Sequence, residues 1–126
     1  MMDSERDIKI GVLGGGSWGT ALAQVLAQKG FALDLWVYEE AVRSQIETER
    51  ENKAFLPGVS LSENIRPSNE VREVVVGKNM IVVVVPSHHV RHVAEQISPY
   101  LSDDAILVSA SKGIENGTYS TMTGVL

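Results

Sequence analysis

In GVLGGGSWGTALA, residues 11–23, three glycines stand at Gly14-x-Gly16-x-x-Gly19, directly after the apolar run Ile8–Leu13 and directly before a segment of helical spacing. Few folds use such a junction. Gly14 permits a sharp turn out of a strand, Gly16 permits close approach of the backbone to a ligand, and Gly19 permits a helix to lie close on a sheet. The exposed N–H groups and the positive end of that helix then face whatever sits in front of the turn, which suits a pyrophosphate. The spacing alone is weak evidence, because glycine is common. Its context is stronger: strand before, helix after, and an acidic residue, Glu39, about 20 positions beyond Gly19 at the end of the next strand.

The rest of the chain alternates in the same way. Ala21, Leu22, Val25 and Leu26 predict a helix over Thr20–Lys29, stopped by Gly30. Residues 32–38, Ala-Leu-Asp-Leu-Trp-Val-Tyr, read as a second strand, and the polar segment from Ala41 to Lys53 as a solvated helix with its exit loop. Phe55-Leu56-Pro57-Gly58 is a turn with an apolar anchor. A short strand near Asn64–Arg66 leads into a helix over about Asn69–Val76. The unbroken β-branched run of Met80–Pro86 reads as a strand covered on both faces. A helix carrying Val90, Val93, Ile97 and Leu101 follows, then a fifth strand over Ala105–Ser109. Together these predict an α/β fold: a doubly wound parallel sheet of Rossmann type, strand order 3-2-1-4-5, with helices on both faces.

At 126 residues, with 44% hydrophobic content, the chain suffices for one domain. The net charge of −5, with no run of Lys or Arg, offers no footprint for nucleic acid. No apolar stretch approaches the roughly 20 residues of a membrane span. The chain has no cysteine, which excludes thiolate metal sites and fits a reducing compartment, so a cytoplasmic setting is expected.

Among candidate site residues, Glu39 is placed to accept hydrogen bonds from the ribose hydroxyls of an adenosine, and its charge disfavours the extra phosphate of NADP; NAD is the expected cofactor. Glu40 is near enough to compete for that role. Tyr38 either packs on the adenine or simply ends its strand. His88 and His92 share a helical face, yet lack a carboxylate or thiolate neighbour, so no metal site is expected. Trp36 is assigned to core packing.

Beyond the glycines, Gly14-Gly15-Gly16-Ser17-Trp18-Gly19-Thr20-Ala21-Leu22-Ala23 resembles the signature of NAD(P)-dependent glycerol-3-phosphate dehydrogenase. Leu35-Trp36, Asn52-x-x-Phe55-Leu56-Pro57-Gly58, Val84-Val85-Pro86-Ser87-His88 and Ser111-Lys112-Gly113-Ile114-Glu115 follow in that family's order, five motifs across nearly the whole chain. Phe55 stands where the family commonly has Tyr, and Tyr38-Glu39 where many bacterial members have the Arg that holds the NADP phosphate.

The resemblance implies interconversion of dihydroxyacetone phosphate and sn-glycerol 3-phosphate with NAD(P)H, feeding glycerophospholipid synthesis, by a homodimer at full length. It implies that Gly14, Gly15, Gly16, Ser17, Trp18 and Gly19 line the cofactor diphosphate, with Tyr38 and Glu39 at its adenosine end. It further implies that His89, or its neighbour His88, borders the nicotinamide, and that Lys112 contacts both cofactor and substrate. An ammonium in that loop can hold a substrate phosphate and polarise a carbonyl as hydride arrives. The family's general-base lysine lies in a second, helical domain whose motifs are missing here. Residues 1–126 are thus expected to be the cofactor domain, truncated at its C-terminal end, competent to bind cofactor but poor at turnover. The alternatives are a stand-alone dinucleotide-binding module and the cofactor domain of a related two-domain dehydrogenase.

Overall fold

Side chains along the central strand point alternately to two opposite cores, and this alternation organises the domain. The computed structural model describes residues 8–85 and 90–110. Five strands, β1 (Ile10–Leu13), β2 (Leu33–Trp36), β3 (Ile65–Ser68), β4 (Met80–Val83) and β5 (Ile106–Ser109), form one parallel sheet in the order β3-β2-β1-β4-β5. The predicted topology is the observed one. β1 is central, with Ile10 paired to Leu33 on one side and Met80 on the other.

Ile10 and Val12 face helices α1 (Ser17–Gln28) and α2 (Glu40–Glu49), where they join Ala23, Ala27, Leu35, Val42 and Ile46. Leu13, Ile81 and Val83 face α3 (Val71–Val75) and α4 (Val90–Ile97), with Val74, Val90 and Ile97. Helices thus cover both faces, as a parallel sheet requires. Gly11 faces α3 so closely that a Cβ there would lie 2.1 Å from the Val74 carbonyl oxygen, which lets the crossover lie against the sheet. Trp36 is half-buried against the second core and donates its indole N–H to the Asn69 carbonyl (2.9 Å).

Several boundaries differ from the apolar runs that predicted them. α1 begins at Ser17 rather than Thr20, because its first turn grows directly out of the glycine turn and carries no apolar periodicity of its own. It ends where expected: Gly30, at φ +101°, donates to the Ala27 carbonyl and Phe31 to that of Leu26. α2 hides an apolar pair, Val42 and Ile46, one turn apart and buried within a charged sequence. Burying such side chains contributes about 1.5–3 kcal/mol each. Beyond α4 a single 3-10 turn, Ser98–Tyr100, leads to β5.

A charge cluster around the buried Asp34 marks the end of the sheet where the strands begin. Asp34, in β2 and turned toward α3, accepts from Arg66 on the neighbouring strand (3.0 and 3.2 Å) and pairs with Lys78 (3.0 Å). Lys78 also donates to the carbonyls of Glu73 and Val76 at the end of α3. The hydrogen bonds from Arg66 to Asp34 raise the guanidinium pKa above its ordinary value. Lys78→Met is expected to cost about 2–3 kcal/mol in urea unfolding, less than the loss of a sole buried partner because Arg66 stays with Asp34. A loss below about 0.5 kcal/mol would show that Lys78 is dispensable.

Candidate functional site: a glycine turn open on one side

The turn between β1 and α1 is built by exclusion. Gly14 has φ +130°, a conformation that L side chains rarely adopt, and a Cβ on it would lie 2.2 Å from the Val84 carbonyl oxygen. Its N–H is taken by the Trp36 carbonyl (3.1 Å), which ties the turn to β2. Gly15 abuts Val37, whose Cγ1 would be 2.2 Å from an added Cβ, and Gly19 abuts the Gly14 carbonyl oxygen at 1.8 Å. At Gly16, by contrast, an added Cβ would meet nothing within 4 Å. Three glycines are therefore held against protein, and the fourth faces open space.

That open space lies in front of the first turn of α1. Gly16 caps the helix with no side chain, no acidic residue occupies the first turn, and Ser17 and Trp18 are exposed. Among the described residues, no hydrogen bond occupies the backbone N–H of Gly16, Ser17 or Trp18. These donors, with the positive end of a 12-residue helix, make the turn receptive to an anion.

Tyr38 and Glu39 stand to one side, after β2. Tyr38 is 79% exposed, its ring edge-on to Trp36 with centroids 6.3 Å apart. The two neighbouring carboxylates differ in engagement. Glu40 accepts from Arg43, at 3.1 Å in one of two contacts, and these bonds hold its carboxyl below the ordinary value. Glu39 caps α2 with its backbone, and its carboxylate has no partner among the described residues. On the other side of the turn, the Trp18 indole N–H donates to the Ala110 carbonyl (2.7 Å), linking the start of α1 to the chain just past β5. The candidate residues thus span the carboxyl ends of β2, β1 and β5, across the point where the strand order reverses.

Other expectations fall elsewhere. His88, His89 and Lys112 lie outside the described residues. His92 is exposed on α4, and no group of three or more potential metal ligands occurs among the described residues. A hollow of about 750 Å³ beside β3 and α3 includes Arg66 and Lys78, but both are engaged with Asp34. What the glycine spacing did not reveal is Asn52. Fully buried, it reaches from the α2–β3 loop to the Gly15 carbonyl (2.9 Å) and the Thr20 hydroxyl (3.0 Å). Its only sequence signal was its place at the head of the Asn52-x-x-Phe55-Leu56-Pro57-Gly58 motif.

A doubly wound parallel sheet with a glycine turn between its central strand and an uncapped helix defines a Rossmann-type domain. Residues 9–126 match the family model described as NAD-dependent glycerol-3-phosphate dehydrogenase N-terminus, and the chain belongs to that family as its N-terminal domain. It is 50% identical over 116 residues to the glycerol-3-phosphate dehydrogenase [NAD(P)+] of Syntrophobacter fumaroxidans, an alignment that covers 92% of this chain and 34% of that protein. Its structure superposes on glycerol-3-phosphate dehydrogenase from Coxiella burnetii with TM-score 0.82 at 31% identity, covering 94% of this chain and 36% of that one. The enzyme from Saccharomyces cerevisiae gives TM-score 0.82 at 28% identity, covering 94% and 39%. The chain spans about a third of the length of the curated relatives it matches. Among the described residues, no helix is long and apolar enough to cross a membrane.

Proposed function

We propose that this domain binds NADH in preference to NADPH. In the full-length protein it would form the cofactor half of a cytoplasmic, homodimeric enzyme that interconverts dihydroxyacetone phosphate and sn-glycerol 3-phosphate. The observation that carries the reading is the turn itself, closed by protein at Gly14, Gly15 and Gly19 and open at Gly16, before N–H groups that have no partner among the described residues. That shape fits a dinucleotide diphosphate, which needs donors and close backbone approach. When bound, the dihydronicotinamide supplies a hydride for the substrate carbonyl.

The chain's own residues divide the remaining work. The N–H groups of Gly16, Ser17 and Trp18 bind the diphosphate, with help from the helix dipole. Glu39 accepts from the adenosine ribose hydroxyls: Glu40 is held by Arg43, whereas the Glu39 carboxylate has no partner among the described residues. Tyr38 offers an exposed ring to the adenine. Trp18 secures the end of β5 beside the turn, and Lys112, a few residues on, holds the substrate phosphate and polarises its carbonyl.

Calorimetric titration with NADH and NADPH tests the reading. NADH is expected to bind about tenfold more tightly or better, since a carboxylate facing a second phosphate costs on the order of 1.4 kcal/mol or more. Glu39→Ala should erase most of that difference. Failure to bind either cofactor would sink the reading, and equal affinities in the unaltered chain would sink the NADH preference.

A further inference from the structure

We infer that Asn52 is a positioning residue for the diphosphate turn, acting by orienting the Gly15–Gly16 peptide; the inference rests on the dinucleotide reading above. The geometry is fully specified. The two N–H bonds of the Asn52 side-chain amide go to the Gly15 carbonyl oxygen (2.9 Å) and the Thr20 hydroxyl oxygen (3.0 Å), and its Oδ1 accepts from the Phe55 N–H (3.2 Å). The Gly15 carbonyl can only accept, which fixes the amide the same way round. Thr20 spends its own hydroxyl proton on that same carbonyl (3.2 Å). Asn52 and Thr20 are both 0% exposed, and the bond between them is shielded from water.

The consequence follows from peptide planarity. In a trans peptide the C=O and the following N–H point in opposite directions. Two buried donors pulling the Gly15 oxygen into the protein therefore turn the Gly16 N–H away from it, toward the open side of the turn where an added Cβ meets no atom. A glycine-rich turn left alone samples many peptide orientations. Here the loop after α2 removes that freedom, so binding does not have to. The loop is itself well anchored. The Asn52 carbonyl accepts from Leu56 (2.7 Å), the Gly58 N–H donates to Glu51 (2.9 Å), and Gln24 of α1 bonds to both Ser60 and Ser62. Phe55 and Leu61 pack into the first core. The Asn52–Gly58 motif is thus a brace for the turn, 37 residues away from Gly15 in sequence.

The test compares two probes, ADP-ribose, which carries the diphosphate, and adenosine, which does not, with Asn52→Asp and Thr20→Val. Asn52→Asp sets a carboxylate oxygen against the Gly15 carbonyl and repels it. Thr20→Val keeps the shape but removes one of the two donors, and it serves alone if Asn52→Asp does not fold. Titrations followed by amide chemical shifts should show ADP-ribose affinity falling about tenfold or more in Asn52→Asp and severalfold in Thr20→Val, with adenosine affinity unchanged. A merely structural Asn52 would weaken both probes alike, and that outcome, or no weakening of either, overturns the positioning role. Absence of ADP-ribose binding in the unaltered chain would instead overturn the dinucleotide reading itself.

Discussion

Gly19→Ala is expected to destabilise the domain by about 3 kcal/mol, although alanine is the best helix former and glycine among the poorest. In an exposed helix the same change would stabilise by up to about 1 kcal/mol. The sign reverses here because the added methyl would lie 1.8 Å from the Gly14 carbonyl oxygen, far inside van der Waals contact, and that oxygen belongs to backbone that cannot swing aside. Gly14 is itself held in place: its N–H is bonded to the Trp36 carbonyl, and it packs against the Val84 carbonyl. Relief requires α1 to lift off the sheet, which would loosen Ala23 and Ala27 from the first core. Thermal melts followed by circular dichroism should show the midpoint falling by about 10 °C. An unchanged midpoint would mean that α1 does not sit this close to β1.

The topology could be read from the chain because it is dictated by local signals that repeat. Four of the five strands carry β-branched or leucine-rich runs, β3 (Ile-Arg-Pro-Ser) being the exception, and the helical segments between strands are the crossovers that parallel strands require. Boundaries were less legible. The apolar run Ile8–Leu13 is longer than β1, and Val84 and Val85 continue beyond β4, because burial extends past the last ladder pair. α2 showed its charges more clearly than its buried stripe of Val42 and Ile46. Its stop was also invisible, since the left-handed residue that ends it is Arg50 (φ 54°) rather than a glycine. What holds Arg50 there is tertiary: its guanidinium donates to the Ile65 carbonyl (2.7 Å) and to that of Ser62.

The candidate site divides along the same line. The glycines could be assigned from spacing, since each role is a local steric demand, and the structure gives Gly14 and Gly19 the geometry those roles require. That Arg43 engages Glu40 and not Glu39 could not, because it depends on where the Arg43 side chain goes. Asn52 and the Trp18–Ala110 bond, spanning 37 and 92 residues, leave no periodic trace at all. Long-range polar contacts of this kind become visible only when the fold is known.

Gly16→Val is expected to behave in the opposite way to Gly19→Ala, abolishing cofactor binding while leaving the fold intact. Gly16 has φ −74° and ψ −169°, extended backbone that a valine adopts readily, and its added side chain would project into space where a Cβ meets no atom within 4 Å. Losing glycine at the cap of α1 costs at most about 1 kcal/mol, because no side-chain cap is being removed. The isopropyl group nevertheless fills the approach to the N–H groups of Gly16, Ser17 and Trp18, on the face of the turn left open among the described residues. A diphosphate excluded from those donors loses several charge-assisted hydrogen bonds at once. NADH affinity should fall at least about a hundredfold, close to 2.7 kcal/mol, with the melting midpoint moving by no more than about 4 °C. The paired outcome is what discriminates. A bound ligand undisturbed by Gly16→Val would place the diphosphate elsewhere, and a large drop in midpoint would show that Gly16, too, is packed against protein.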